Sequence, residues 1–313
     1  MRYRWLSQLI GLIIFVFILY KVDLKSVVSR LYGAHLAILL IALALTLCFV
    51  VLKAIRWKYL LAMQGIDYEP KECVLAYLAS MYLGLVTPGR VGDFMKVLYL
   101  RTDKGVTLGR GFSSVFADRL FDLLILTSMA LSGALALALT KSLLMIILSW
   151  IFIYLLTVFI FLNERFGRRV IGRLFRIFVP KNKGNSLEGQ FEEFYAGMEK
   201  LKKVNILVPL LLSVLIFLIL YVQCYLIAIA LSIPISLLHI SFCISAANLL
   251  ALLPISVSGI GIRDATMIAM FSILRLSRES ALSFSITFLF VSNISACVVG
   301  AIAWFLKPLK VRV

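Results

Sequence analysis

Apolar residues in this chain come in unbroken runs, not in period-two alternation, and polar residues gather between the runs. A run of about twenty mostly apolar residues is long enough to cross a hydrocarbon layer as a helix. Residues 5–22, 36–55, 112–139, 142–163, 205–231 and 280–306 qualify. Two further stretches are interrupted. Cys73 to Thr87 makes about 22 Å of helix at 1.5 Å per residue, short of a core near 30 Å. Phe94 to Leu100, beyond the break, is shorter still. Leu237 to Leu253 followed by Ala265 to Leu274 repeats the arrangement. Each pair is expected to enter and leave on one side, as re-entrant hairpins over residues 73–101 and 237–275. The expected fold is an all-α polytopic membrane protein, one integral domain over 1–313. It has about six transmembrane helices plus two re-entrant broken-helix hairpins.

Charge adds an orientation. The chain is 62% hydrophobic and 15% charged, with a net charge of +17. That charge does not point to nucleic acid, because the basic residues flank apolar spans as the positive-inside pattern requires. Arg2 and Arg4, then Lys53, Arg56, Lys58 and Lys71, then Arg101, Lys104 and Arg110, and finally Lys307, Lys310 and Arg312 read as cytoplasmic. So does the stretch from Glu164 to Val204, which carries ten Lys or Arg residues. Both termini are expected inside, in the cytoplasmic (inner) membrane. Lys21, Lys25 and Arg30 on the outer side are a mild contradiction. Residues 5–139 and 142–306 then become repeats of opposite orientation, an inverted repeat of the kind transporters use. Trp5, Trp57, Trp150 and Trp304 sit near span ends, as interfacial anchors do. Within 164–204, read as a basic amphipathic loop, Phe166, Val170, Leu174 and Phe178 predict a helix on the inner leaflet. Lys181 to Gly189 reads as a flexible turn.

Candidate chemistry lies at the breaks. The first is Thr87-Pro88-Gly89-Arg90-Val91-Gly92-Asp93, and its echo runs from Pro254 through Gly259, Gly261 and Arg263 to Asp264. Pro88 and Pro254 are hinge candidates, and the glycines permit close backbone approach. A charge at the bilayer centre costs about 2.5–3.5 kcal/mol on insertion scales, so Arg90 and Arg263 call for a pairing or a function. Arginines beside helix N-termini suit phosphate or carboxylate. The substrate-binding set is therefore Arg90, Arg263 and Lys96 with Gly89, Gly92, Gly259 and Gly261. Asp93 and Asp264 read as helix N-caps or as members of a gating charge cluster. Asp118, Arg119 and Asp122, at the cytoplasmic end of a span, form either a gate or a structural pairing with the first hairpin. Cys48, Cys73, Cys224, Cys243 and Cys297 are scattered without a ligand spacing and read as small core residues. His35 and His239 are isolated, and no nucleotide loop occurs, so no metal or cofactor is expected.

Pro88-Gly89-Arg90-x-Gly92-Asp93-x-x-Lys96, Asp118-Arg119-Leu120-Phe121-Asp122, and Leu253-Pro254 with Gly259-x-Gly261-x-Arg263-Asp264 together resemble the lysylphosphatidylglycerol synthase transmembrane-region family, also described as UPF0104 or flippase-like. The resemblance covers nearly the whole chain. It implies an inner-membrane protein that handles lipids. In two-domain members a separate soluble domain carries out aminoacyl transfer. That domain is absent from this sequence, so the chain is not expected to be an enzyme. Asp93 and Asp264 stand where the family pattern leads one to expect Glu, and Ser258 where it leads one to expect Gly. The last span lacks the Arg often found there, with Asn293 the nearest polar residue.

The expected function is a lipid flippase or scramblase for an anionic or aminoacylated phospholipid or a polyprenyl-linked lipid. Alternatives are a secondary transporter for a small anion, an integral-membrane enzyme using Asp118 or Asp122 as base, or a membrane partner of a lipid-headgroup synthase. Anionic membrane lipids are the expected partners, with a separate synthase or glycosyltransferase and a homo-oligomer both compatible with the pattern.

Overall fold

The computed structural model describes residues 17–20, 22–137, 141–163, 165–167, 169, 184–202, 205–252 and 259–309. Every regular element among them is helical. A short helix α1, Leu24–Tyr32, precedes α2, Leu36–Met63. Next come α3, Pro70–Val86, a 3₁₀ run, Pro88–Met95, and α4, Lys96–Lys104. Then follow α5, Leu108–Ala136, α6, Lys141–Leu162, and α7, Gly184–Lys202. The second half holds α8, Leu207–Ala230, α9, Leu237–Leu250, and α10, Ile262–Ile273. The last long helix is continuous: α11, Arg278–Phe288, a π turn, Leu289–Ile294, and α12, Ser295–Leu306. Four helices among the described residues are long and apolar enough to cross a membrane: α2, α5, α8 and the α11–α12 unit. Most of the expected span 5–22 lies outside the described residues.

Local sequence explains the boundaries. Thr107, Ser236 and Ser277 cap α5, α9 and α11 by accepting the N–H of Arg110, His239 and Ser280. Helix α2 runs eight residues past the expected span end at 55, because nothing breaks it before Gly65 turns left-handed at φ 73°. Lys53 and Arg56 are therefore helical and buried, not loop charges. Trp57 is no interfacial anchor either. It is fully buried, with its indole N–H donated to Ser114 Oγ at 3.2 Å.

The first break is a 3₁₀ run held from within. Thr87 Oγ1 donates to Leu83 O at 2.9 Å and accepts the Gly92 N–H at 2.8 Å. Gly92 is pressed so closely on α3 that a Cβ there would lie 2.2 Å from the Leu83 carbonyl. The basic stretch 164–204 differs from the expected loop. From Gly184 it is helical, and Phe191, Phe194, Tyr195 and Met198 fall at the i, i+3, i+4, i+7 spacing of one face. That face docks on α5, where the Phe194 and Phe116 ring centroids are 5.9 Å apart. The expected turn 181–189 is thus helix over its described part, and most of the expected surface helix, Phe166 to Phe178, lies outside the described residues.

The order long helix, short helix, break, short helix, long helix occurs twice, as α2 to α5 and as α8 to α12. The two sets interlock. Helix α2 packs along α8, α3 packs on α12, and α9 packs on α5. Small residues permit the reciprocal crossings: Gly133 of α5 lies under Phe242 of α9, and Gly300 of α12 lies under Leu78 and Tyr82 of α3. At one end of the bundle Lys307 Nζ meets Asp103 at 2.5 Å, Tyr68 Oη at 2.9 Å, and Glu72. Tyr68 donates to Asp103 at 2.5 Å. Burial first, then this hydrogen bond to a carboxylate, push the Tyr68 phenol well above its ordinary value.

Filling a crossing should loosen the two halves. A Cβ at Gly300 would lie 2.6 Å from Leu78 O, a backbone atom, whereas one at Gly189 meets nothing within 4 Å. Gly300→Val is expected to cost about 1–3 kcal/mol, read as a lowered melting temperature in detergent. Gly189→Ala, in open space within helix α7, should not lower that temperature.

Candidate functional site

The long helices bring charges to one place through their periodicity. Lys53 and Arg56 are three residues apart on α2, and Asp118 and Asp122 are four apart on α5, so each pair lies on one face. Arg56 bridges both carboxylates, with Nε 2.9 Å from Asp118 Oδ1 and Nη2 2.7 Å from Asp122 Oδ1. Its Nη1 donates to Ser213 Oγ of α8 at 2.8 Å. Lys53 Nζ lies 2.7 Å from Asp122 Oδ2. Lys96, on α4, donates to Asp118 Oδ2 at 2.9 Å and sits 4.0 Å from the Tyr77 ring centroid. Arg119 pairs with Asp93 of the 3₁₀ run and with Asp122 at 3.6 Å. Arg56 and Asp118 are fully buried, and a buried ion without a partner costs several kcal/mol. Each charge in this cluster therefore fixes its neighbours. Among the described residues, four cations (Lys53, Arg56, Lys96, Arg119) meet three carboxylates (Asp93, Asp118, Asp122) in this cluster.

A second, smaller cluster belongs to the other break. Gly261, at φ 86°, starts α10 and gives its N–H to Asp264 Oδ2 at 2.8 Å. Arg263 Nε donates to Ser285 Oγ of α11 at 3.2 Å, and Nη2 lies 3.4 Å from Asp264 Oδ1. Ser285 also donates to Asp264. Asp93 and Asp264 thus play parallel parts, each tying its break to the long helix that follows.

Between the clusters lies a cavity of about 170 Å³. Its walls come from both halves: Lys53, Arg119 and Asp122 from the first, Gln223, Asn248, Gly259, Arg263, Ser292 and Asn293 from the second. Phe49, Phe217, Leu220 and Phe288 supply apolar wall. Gln223 Nε2 donates to Ala42 O at 2.8 Å and to Thr46 Oγ1 at 2.6 Å, and Thr46 in turn donates to Val291 O of the π turn at 3.0 Å. These bonds stitch α8, α2 and the last helix around the hollow. Single π turns inside α-helices gather at functional sites.

A family model described as the lysylphosphatidylglycerol synthase TM region matches residues 4–300, which takes in both clusters and the cavity. The chain belongs to this family. The resemblance carried by the motifs is thereby borne out. The chain is 25% identical over 318 residues to a UPF0104 membrane protein of Methanocaldococcus jannaschii, covering 95% of this chain and 94% of that one. It is 23% identical over 307 residues to a UPF0104 membrane protein of Pyrococcus horikoshii, covering 91% of each. Membership in the lysylphosphatidylglycerol synthase transmembrane-region family, with the apolar helices, makes this a multi-pass membrane protein.

Of the family-motif residues, Arg263, Gly259, Arg119 and Asp122 stand on the cavity wall. Lys96, Asp118, Asp93 and Asp264 are buried in the networks behind it. Gly92 and Gly261 shape the two breaks. Pro88, Gly89 and Arg90 have a described backbone only, and the contact expected of the Arg90 side chain lies outside the described residues, as does the hinge expected at Pro254. Asp93 differs from its expectation as an N-cap. It lies inside the 3₁₀ run, its carboxylate is committed to Arg119, and the residue preceding α4 makes no side-chain cap. Asp264 caps α10 from the third position of the helix. Asp122 is fourteen residues into α5, near its middle and not at its end. Lys53, Arg56, Gln223 and Asn248 escaped sequence reasoning. The matching spacings of Lys53-x-x-Arg56 and Asp118-x-x-x-Asp122 were the available signal.

Removing the bridging guanidinium tests this network. Arg56→Met leaves Asp118 and Asp122 crowded with one cation fewer, and is expected to cost about 3–5 kcal/mol of stability. Arg56→Lys, which keeps charge but loses the fork, should fall between Met and wild type in detergent unfolding.

Proposed function

We propose that this protein moves the phosphate-bearing headgroup of an anionic lipid across the cytoplasmic membrane through the cavity between its halves. The single observation that carries the reading is that three cations from both halves, Lys53, Arg119 and Arg263, line one hollow. Charge-assisted hydrogen bonds from Lys and Arg are the strong phosphate contacts. A volume of about 170 Å³ is below the roughly 300–1,000 Å³ of pockets that hold whole drug-sized ligands. A headgroup fits, and the acyl chains stay in lipid.

The architecture of six spans, two re-entrant hairpins and an inverted repeat belongs to this proposal. Its support is geometric. The Tyr68–Asp103 bond joins the start of α3 to the end of α4 at one end of the bundle. The His35 N–H, at the start of α2, meets Ala230 O, at the end of α8, at 3.0 Å at the other. Helix α9 starts just past Ala230, and α10 ends just before α11, which packs on α1 at that same end. The two breaks then enter from opposite faces, the second reaching the cavity wall at Gly259 and the first joined to it through the Asp93–Arg119 pair, as transporter half-helices do. Both termini face the cytoplasm in this arrangement.

The test is transbilayer movement of acyl-labelled phosphatidylglycerol in proteoliposomes, read by quenching of the outer leaflet. Wild type should exchange the label between leaflets. Arg263→Ala and Lys53→Ala should each slow exchange about ten- to hundredfold, the value of a lost charge-assisted bond of about 1.5–3 kcal/mol. Lys104→Ala, exposed at the end of α4, should not. Absence of exchange by folded wild type would refute the proposal. The small cavity also favours a second reading, transport of a free anion, which inorganic phosphate uptake independent of lipid composition would support.

A further inference from the structure

The cavity wall carries three cations, one carboxylate and several uncharged polar side chains, and this composition speaks to the headgroup. Asp122 is the only carboxylate on the described wall. It is already held by Lys53 at 2.7 Å, Arg56 at 2.7 Å and Arg119 at 3.6 Å. No carboxylate there remains to receive an ammonium group.

The uncharged polar residues of the wall have unused hydrogen-bonding capacity. Ser292 Oγ is buried without a hydrogen-bond partner, in a residue only 8% exposed. Asn293 follows it in the π turn, and Asn248 reaches the same cavity from α9. Neither carboxamide takes part in the hydrogen bonds that tie Gln223, Thr46 and Val291 together. Buried polar groups are nearly always satisfied, so an unsatisfied hydroxyl beside two amides in a cavity marks a place for a ligand's polar atoms. A carboxamide both donates and accepts, as does a hydroxyl, so the two are matched partners.

We infer that the headgroup is an anionic phosphodiester carrying a neutral, hydroxyl-rich group, with its phosphate held by Lys53, Arg119 and Arg263 and its hydroxyls read by Asn248, Ser292 and Asn293. A headgroup bearing ammonium groups is disfavoured. This inference rests on the transport reading above and narrows its substrate.

The experiment compares three acyl-labelled probes in the same proteoliposomes. Phosphatidylglycerol has the phosphodiester and free hydroxyls. Phosphatidylethanol has the same charge and no hydroxyl. Lysylphosphatidylglycerol has ammonium groups that make it a net cation. Phosphatidylglycerol should move about tenfold faster than either of the others, the scale of one or two matched hydrogen bonds. Asn293→Leu should bring phosphatidylglycerol down to the phosphatidylethanol rate without slowing phosphatidylethanol. Asn248→Asp, which adds a carboxylate to the cavity wall, should speed lysylphosphatidylglycerol and slow phosphatidylglycerol, a gain that a misfolded variant does not produce. Equal rates for the three probes, or selectivity unaltered in both variants, would overturn the inference while leaving transport intact. Movement of none of them would remove the transport reading and this one with it.

Discussion

One guanidinium holds the centre of this protein together. Arg56 bridges Asp118 and Asp122 and reaches Ser213, so a single side chain ties α2 and α5 of the first half to α8 of the second. In low dielectric such a bridge is not a cheap way to gain stability, since replacing a buried ion pair with apolar residues is often neutral or stabilising. Its effect is to fix where the neighbouring charges stand. Because both carboxylates are held from behind, Lys53 and Arg119 remain facing the hollow while still paired with Asp122. A rigid charged wall at the junction of two interlocked halves is the constraint from which the functional reading follows.

The two halves share geometry and differ in electrostatics. Each break carries an Asp tied to the following long helix, and each short apolar helix crosses the other half's last helix over a glycine. Yet the first half supplies most of the buried charge, while the second supplies Ser285, Ser292, Asn248 and Asn293. Similar packing with different wall chemistry gives one cavity cations from both halves and uncharged polar residues from the second. A headgroup moving through it would present its phosphate to the cations and its remaining atoms to the uncharged residues.

Much of this was legible in the residues, for identifiable reasons. Long apolar runs set the spanning helices, and the short runs ending at Thr87 and near Leu253 located both breaks, because helix length against bilayer thickness is a strong constraint. Arg263, Arg119 and Asp122 stood out because charges among apolar residues are costly. Lys53 and Arg56 did not. Near the end of an apolar run they look like a basic loop, and only a partner helix shows that they are buried with counter-ions. Helix α7 was missed because the basic residues around it outweighed the spacing of Phe191, Phe194, Tyr195 and Met198. Asn248 and Ser292 were invisible for a different reason: small neutral polar residues in apolar helices are common, and only the cavity distinguishes these two.

The most direct measurement is a structure of the protein in a lipid nanodisc containing phosphatidylglycerol, at a resolution that shows headgroup density. The account predicts a phosphate among Lys53, Arg119 and Arg263, with the acyl chains leaving between the two halves toward the bilayer. An occupied headgroup site elsewhere, with the cavity holding only water, would contradict it.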